Sequence, residues 1–161
     1  MSEPFIVNVS EARAVAHPEA GISVWFEDRA ERFPDFGMNI QMLEPGESNA
    51  VYHSESVQEA FLVLGGHPKV ILDNRVHELK PWDFVHCPAG TGHVFVGAGD
   101  GPSWILMVGA RRPGKTIHYP RNEVAAAHGA SVEEPTDDPR QAYAGRGGGR
   151  TEATMPWPPT G

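Results

Sequence analysis

No apolar run in this chain is long, and each is closed within a few residues by Gly, Pro, Asn or Asp. Short runs occupy residues 22–26, 38–43, 50–53, 59–64, 69–72, 76–79, 84–87, 93–96 and 103–109. That is about one run per 8–12 residues, the spacing of strands in an all-β barrel or sandwich. Gly (18) and Pro (15) make up about a fifth of the 161 residues, too many for a helical bundle and suited to tight turns. Asp73-Asn74, between two of these runs, reads as a two-residue hairpin turn.

Residues 36–112 hold most of the apolar segments and form the expected barrel. Residues 1–35 read as an N-terminal arm with strands, and 22–26 as an edge strand or part of a lid. Residues 113–145 form a C-terminal extension whose helical stretch is 123–128, with Asn122 as N-cap and Gly129 just past the end. Residues 146–161, with three consecutive glycines and three prolines, read as a flexible tail or a strap over a neighbouring surface.

The formal charge of −8 argues against a nucleic-acid partner and against docking on anionic lipid. No apolar run approaches the roughly 20 residues of a membrane span. No secretory signal is visible, and a single cysteine, Cys87, rules out an intrachain disulfide. The expected compartment is a reducing cytoplasm.

Two segments carry chemistry. In the first, His53 and Glu55 share one strand face if the strand continues, because side chains alternate with period two, and Glu59 follows a short turn. In the second, Pro88-Ala89-Gly90 reads as a tight turn presenting His93 at the head of the next strand. Imidazoles and carboxylates in one place suit a divalent metal. Gln58 is a substitute for Glu55 or a partner that orients a ligand. One of His86 and Cys87, adjacent on a strand, faces the interior; Cys87 reads as a small core residue. Phe61 and Phe95 read as core residues that also line a pocket.

These segments resemble the cupins. The first cupin motif is Gly, five residues, His-x-His, three or four residues, Glu, six residues, Gly. His53, Glu59 and Gly66 match it, with Glu55 in place of the second histidine. The second motif is Gly-Asp, four residues, Pro-x-Gly, two residues, His, three residues, Asn. Asp83, Pro88, Gly90 and His93 match, while Trp82 replaces the glycine and Gly97 the asparagine. The stretches 83–88, 96–102 and 126–133 resemble small single-domain bacterial cupins of unassigned function.

The resemblance implies a cupin-type β-barrel (double-stranded β-helix, or jelly roll) with the metal inside one mouth and ligands His53, Glu55, Glu59 and His93. Iron, manganese, nickel and zinc all suit two imidazoles and two carboxylates, and no other cofactor is expected. Four protein ligands on an octahedral ion leave two open positions. The expected function is that of a metal-dependent enzyme acting on a small molecule. Dioxygenase chemistry is favoured; a sugar isomerase, epimerase or lyase with His86 or Glu55 as base, and a non-catalytic binder, are the alternatives. The resemblance also implies a homodimer.

Overall fold

The computed structural model describes residues 3–27 and 31–157. Its strands are β1 (Arg13–His17), β2 (Gly21–Trp25), β3 (Phe36–Leu43), β4 (Ser54–Glu55), β5 (Glu59–Gly65), β6 (Lys69–Leu72), β7 (Arg75–Glu78), β8 (Phe84–Cys87), β9 (His93–Val96), β10 (Ser103–Ala110), β11 (Ile117–His118) and β12 (Thr151–Ala153). Two single-turn helices, α1 (Glu123–Ala126) and α2 (Pro139–Ala142), complete the all-β fold. No helix among the described residues is long and apolar enough to cross a membrane.

All strand pairs are antiparallel. The large sheet runs β12-β1-β2-β3-β10-β5-β8, a smaller one β7-β6-β9, and β11 pairs with β4. The alternation of side chains explains how the large sheet is covered on both faces. On one face Leu43, Phe61 and Ile105 meet Val70 and Phe95 of the small sheet, with Val85 and Cys87 beside them. On the other face Val24, Ile40, Met42 and Trp104 pack with Ala14 and Met155. The outer face of the small sheet, through Ile71, Val94 and Val96, is covered by Ala125 and Ala130 around α1.

The local chemistry follows the sequence at several turns. Asp73 and Asn74 both have positive φ (43° and 69°), the conformation a two-residue hairpin between right-twisted strands requires. Asn122 caps α1 by accepting the Ala125 N–H at 2.8 Å, and Gly129, at φ 67°, turns the chain away. Residues 50–53 form turns and a single bridge rather than the strand expected there.

One expectation is corrected, and of the two forms expected for the tail the strap is the one observed. β2 is flanked by β1 and β3 and is no edge strand. The tail is ordered over much of its length: Thr151–Ala153 pairs with β1, Met155 is buried, and the Pro156 carbonyl accepts the Trp104 indole N–H at 3.0 Å. Burial of Met155 and pairing with an open sheet edge order a stretch whose composition gives no local signal.

Trp82 stands where the second cupin motif has glycine, and its φ is 74°. That conformation is strained for any residue with a Cβ. Its ring is 73% exposed, so little packing offsets the strain. Trp82→Gly is therefore expected to raise stability by up to about 1 kcal/mol, read as a higher urea midpoint at unchanged slope. A lower midpoint would mean that the indole contributes packing its exposure does not suggest.

Candidate metal centre

His53, immediately before β4, and His93, the first residue of β9, face each other as an antiparallel bridge. The His53 N–H donates to the His93 carbonyl at 3.2 Å, and the His93 N–H donates to the His53 carbonyl at 2.9 Å. Directly paired residues project to the same face, and the two ring centroids lie 4.8 Å apart. The turn before His93 is held by the Gly90 N–H, which donates to the Glu55 carbonyl at 2.7 Å. Asp83 anchors a neighbouring turn by accepting the Lys80 N–H at 2.9 Å.

Each imidazole is oriented by its own backbone. His53 Nδ1 lies 2.7 Å from the Val51 carbonyl, and His93 Nδ1 lies 3.0 Å from the Thr91 carbonyl. A carbonyl only accepts, so both Nδ1 atoms carry protons and both Nε2 atoms are left for another partner. Glu59, at the start of β5, brings Oε2 to 3.2 Å from His93 Nε2. Ligating atoms of His53, Glu59 and His93 all lie within 4.8 Å of one another.

The donor set fits a divalent cation on an observation of its own. His93 is 1% exposed, yet its Nε2 has no aligned hydrogen-bond partner despite the nearby carboxylate. Burial and the neighbouring His93 push His53 down to about 4. Burial also works to lower His93, but Cys87 and Glu59 together outweigh it and raise the imidazole to about 10. Burial works to raise Glu59, and His93 and His53 more than reverse it, so its carboxyl sits below the usual range. Without an ion the centre is thus a neutral His53 beside a His93–Glu59 ion pair. A cation held there would take the place of the His93 proton.

Of the four expected ligands, the structure brings three together. Glu55 is outside the cluster, although its carboxylate also borders the cavity. It is engaged by Lys115, whose Nζ lies 2.5 Å from Oε2. The pairing of β4 with β11 carries the segment ahead of Ile117 over the site, which brings that lysine to Glu55. Gln58 and His86 do not line the cavity: they face solvent and bond to each other at 3.0 Å. The β5–β8 register explains this, since Glu59 is opposite Cys87 and its neighbour Ala60 is opposite His86. Cys87 is therefore the inward residue of its pair and belongs to the core, 1% exposed. Phe61 lines the cavity and packs 5.3 Å from the His93 ring, while Phe95 stacks behind it at 4.6 Å.

The cavity holds about 640 Å³. Its floor is the inner face of the large sheet, with Ser23, Asn39, Gln41 and Met107. Arg111, Lys115, Arg146 and Arg150 also border it, and sequence reasoning singled out none of them. Arg111 grips Glu27 through both terminal nitrogens and donates to the Phe33 carbonyl at 2.7 Å. No local pattern marks these cations, because each reaches the cavity through distant pairing.

With this geometry in place, comparison with other proteins is informative. Residues 39–109 match the family described as Cupin domain. No curated protein matches the sequence. The fold resembles that of a sugar phosphate isomerase from a cupin superfamily of Silicibacter pomeroyi, with TM-score 0.58, 24% identity, 89% of this chain and 82% of that one. It also resembles the polyketide cyclase RemF from Streptomyces resistomycificus, with TM-score 0.59, 21% identity, 70% of this chain and 84% of that one. A third likeness is to a protein from Acidithiobacillus ferrooxidans, with TM-score 0.54, 24% identity and 62% of this chain; this chain spans 65% of that one. At such identities the likeness is one of fold.

Proposed function

We propose that the chain is a metal-dependent enzyme acting on a small molecule, with oxygenase-type chemistry as the favoured reaction. In this reading the two sheets form a cupin barrel, and His53, Glu59 and His93 hold the ion at its mouth. The supporting observation is the pair of buried imidazoles whose Nδ1 atoms are both committed to carbonyls, with the Glu59 carboxylate 3.2 Å from Nε2 of His93. Two histidines and one carboxylate leave about three of six octahedral positions open, the arrangement of non-haem iron oxygenases. Bound there, an ion supplies Lewis acidity and, as iron, redox chemistry with dioxygen.

The chain's own residues do the remaining work. Glu59 provides negative charge against the cation. Phe61 and Met107 give the cavity an apolar wall that excludes water from one side. Asn39 Oδ1 is buried without a partner at the floor and offers an acceptor to a hydroxyl or amine of the small molecule. As part of this proposal the protein works as a cytoplasmic homodimer.

A second reading, isomerase or lyase chemistry, rests on the Glu55–Lys115 pair, which borders the cavity as a carboxylate and an ammonium able to exchange a proton with a ligand. His86 cannot be that base, since it faces away. The structural neighbour from Silicibacter pomeroyi, a sugar phosphate isomerase, fits this second reading.

The test is elemental analysis of protein purified without nickel resin, followed by oxygen-uptake assays on iron-loaded protein with small organic acids and phenols. About one ion per chain is expected, and none in Glu59→Gln. Oxygen consumption coupled to substrate loss supports the oxygenase. Turnover without it moves the assignment to the second reading, and a loaded protein with no turnover points to a binder. Failure to take up iron, manganese, nickel or zinc overturns the metal centre.

A further inference from the structure

We infer that the small molecule taken into this cavity carries an acidic head group, a carboxylate or a phosphate, and that Arg146 and Arg150 bind it. The inference rests on the reading of the cavity as the substrate site and adds the class of substrate.

Four Lys or Arg side chains border the cavity, and they fall into two kinds. Arg111 is neutralised by Glu27, and Lys115 by Glu55. Among the described residues no carboxylate pairs with Arg146 or Arg150.

Arg146 is held in place by neutral groups. Its Nη2 donates to the Ser48 hydroxyl at 2.7 Å and to the Gly129 carbonyl at 3.2 Å, and its guanidinium lies 5.9 Å from the centre of the Tyr143 ring. These contacts orient the fork without cancelling its charge. The other terminal nitrogen, Nη1, is buried and has no hydrogen-bond partner. A buried donor left unsatisfied is costly, and an anion satisfies it with a charge-assisted bond.

The segment 147–149, three glycines, joins the two arginines along the same wall. Gly149 has φ 99°, which a side chain would strain, and a Cβ at Gly147 would come within 3.1 Å of Pro18, whereas a Cβ at Gly148 would meet nothing within 4 Å. Gly148 thus leaves open space between two guanidinium groups that no carboxylate compensates.

The test uses the full chain made metal-free with a chelator, so that it is independent of the metal centre. Inorganic phosphate and acetate are titrated by isothermal calorimetry in a zwitterionic buffer, with glycerol as the neutral probe. At least one anion is expected to bind saturably and glycerol not to bind. Stronger binding of phosphate assigns a phosphate ester, and stronger binding of acetate a carboxylate. Arg150→Gln is expected to weaken the anion by about tenfold or more, and Arg146→Gln/Arg150→Gln to remove the response. Arg146→Lys, which keeps the charge, is expected to retain part of it. Arg150 is exposed, so its variant decides the matter even if loss of Arg146 impairs folding. No anion response in the unaltered chain, or equal affinity in Arg150→Gln, overturns the inference. A protein that takes metal but no anion overturns this inference alone; one that takes the anion but no metal overturns the metal centre alone.

Discussion

His93→Ala is expected to abolish stoichiometric metal binding and to destabilise the metal-free chain by about 2–4 kcal/mol. Both effects come from the same buried position. The imidazole is 1% exposed and packs against the rings of His53 and Phe61, so its removal leaves a cavity. It also removes the countercharge of Glu59, whose side chain is only 15% exposed. With one of three protein ligands gone, affinity is expected to fall by more than about 100-fold, the upper range for loss of a mere supporting partner. Elemental analysis reads the first effect and urea denaturation in chelator the second. A variant that still carries one ion per chain would place the metal elsewhere.

The same centre gives metal uptake a definite pH dependence. His93, raised to about 10 in the ion-free state, is protonated at neutral pH and must lose that proton to ligate. His53, lowered to about 4, is already neutral. Binding is therefore expected to release about one proton and to tighten as pH rises, visible as a buffer-dependent enthalpy.

Trp104→Ala is expected to cost about 3–5 kcal/mol, the largest loss from any single substitution considered. Trp104 is 2% exposed and is the hub of the core on the outer face of the large sheet, touching strands from both ends of the chain. Its indole N–H also fixes the carbonyl of Pro156. Trp104→Phe keeps much of the apolar volume and loses that bond, so a smaller loss of about 1–2 kcal/mol is expected. Equal losses in the two variants, measured by thermal or urea unfolding, would show that the hydrogen bond rather than the packing dominates.

Much of the central fold was legible because its information is local. The expected runs at 69–72, 84–87 and 93–96 coincide with β6, β8 and β9, and the others apart from 50–53 differ by a residue or two at their ends. The spacing of His53, Glu59 and His93 survives in three dimensions because a single antiparallel bridge and one strand start place all three. What was not legible depends on distant partners. Glu55 has the parity expected of it, but nothing near it in sequence announces Lys115. Which of His86 and Cys87 turns inward is open in the sequence, because the period-two rule says that strand neighbours diverge without saying which one faces the core. β12 has neither β-branched alternation nor an apolar run; it forms because β1 presents an unpaired edge.

That pairing has a temporal side. Ala14 lies opposite Ala153, and the ion pair Arg13–Glu152 spans 139 positions of sequence. Closing so long a loop costs entropy that nearby hairpins do not, so β1–β12 is expected to zip after the β5–β8 and β6–β9 contacts. The three candidate ligands all precede residue 94, whereas Arg146 and Arg150 arrive with the closing segment. On the ribosome, the proposed metal centre would thus be complete while the proposed anion-binding wall is still unbuilt.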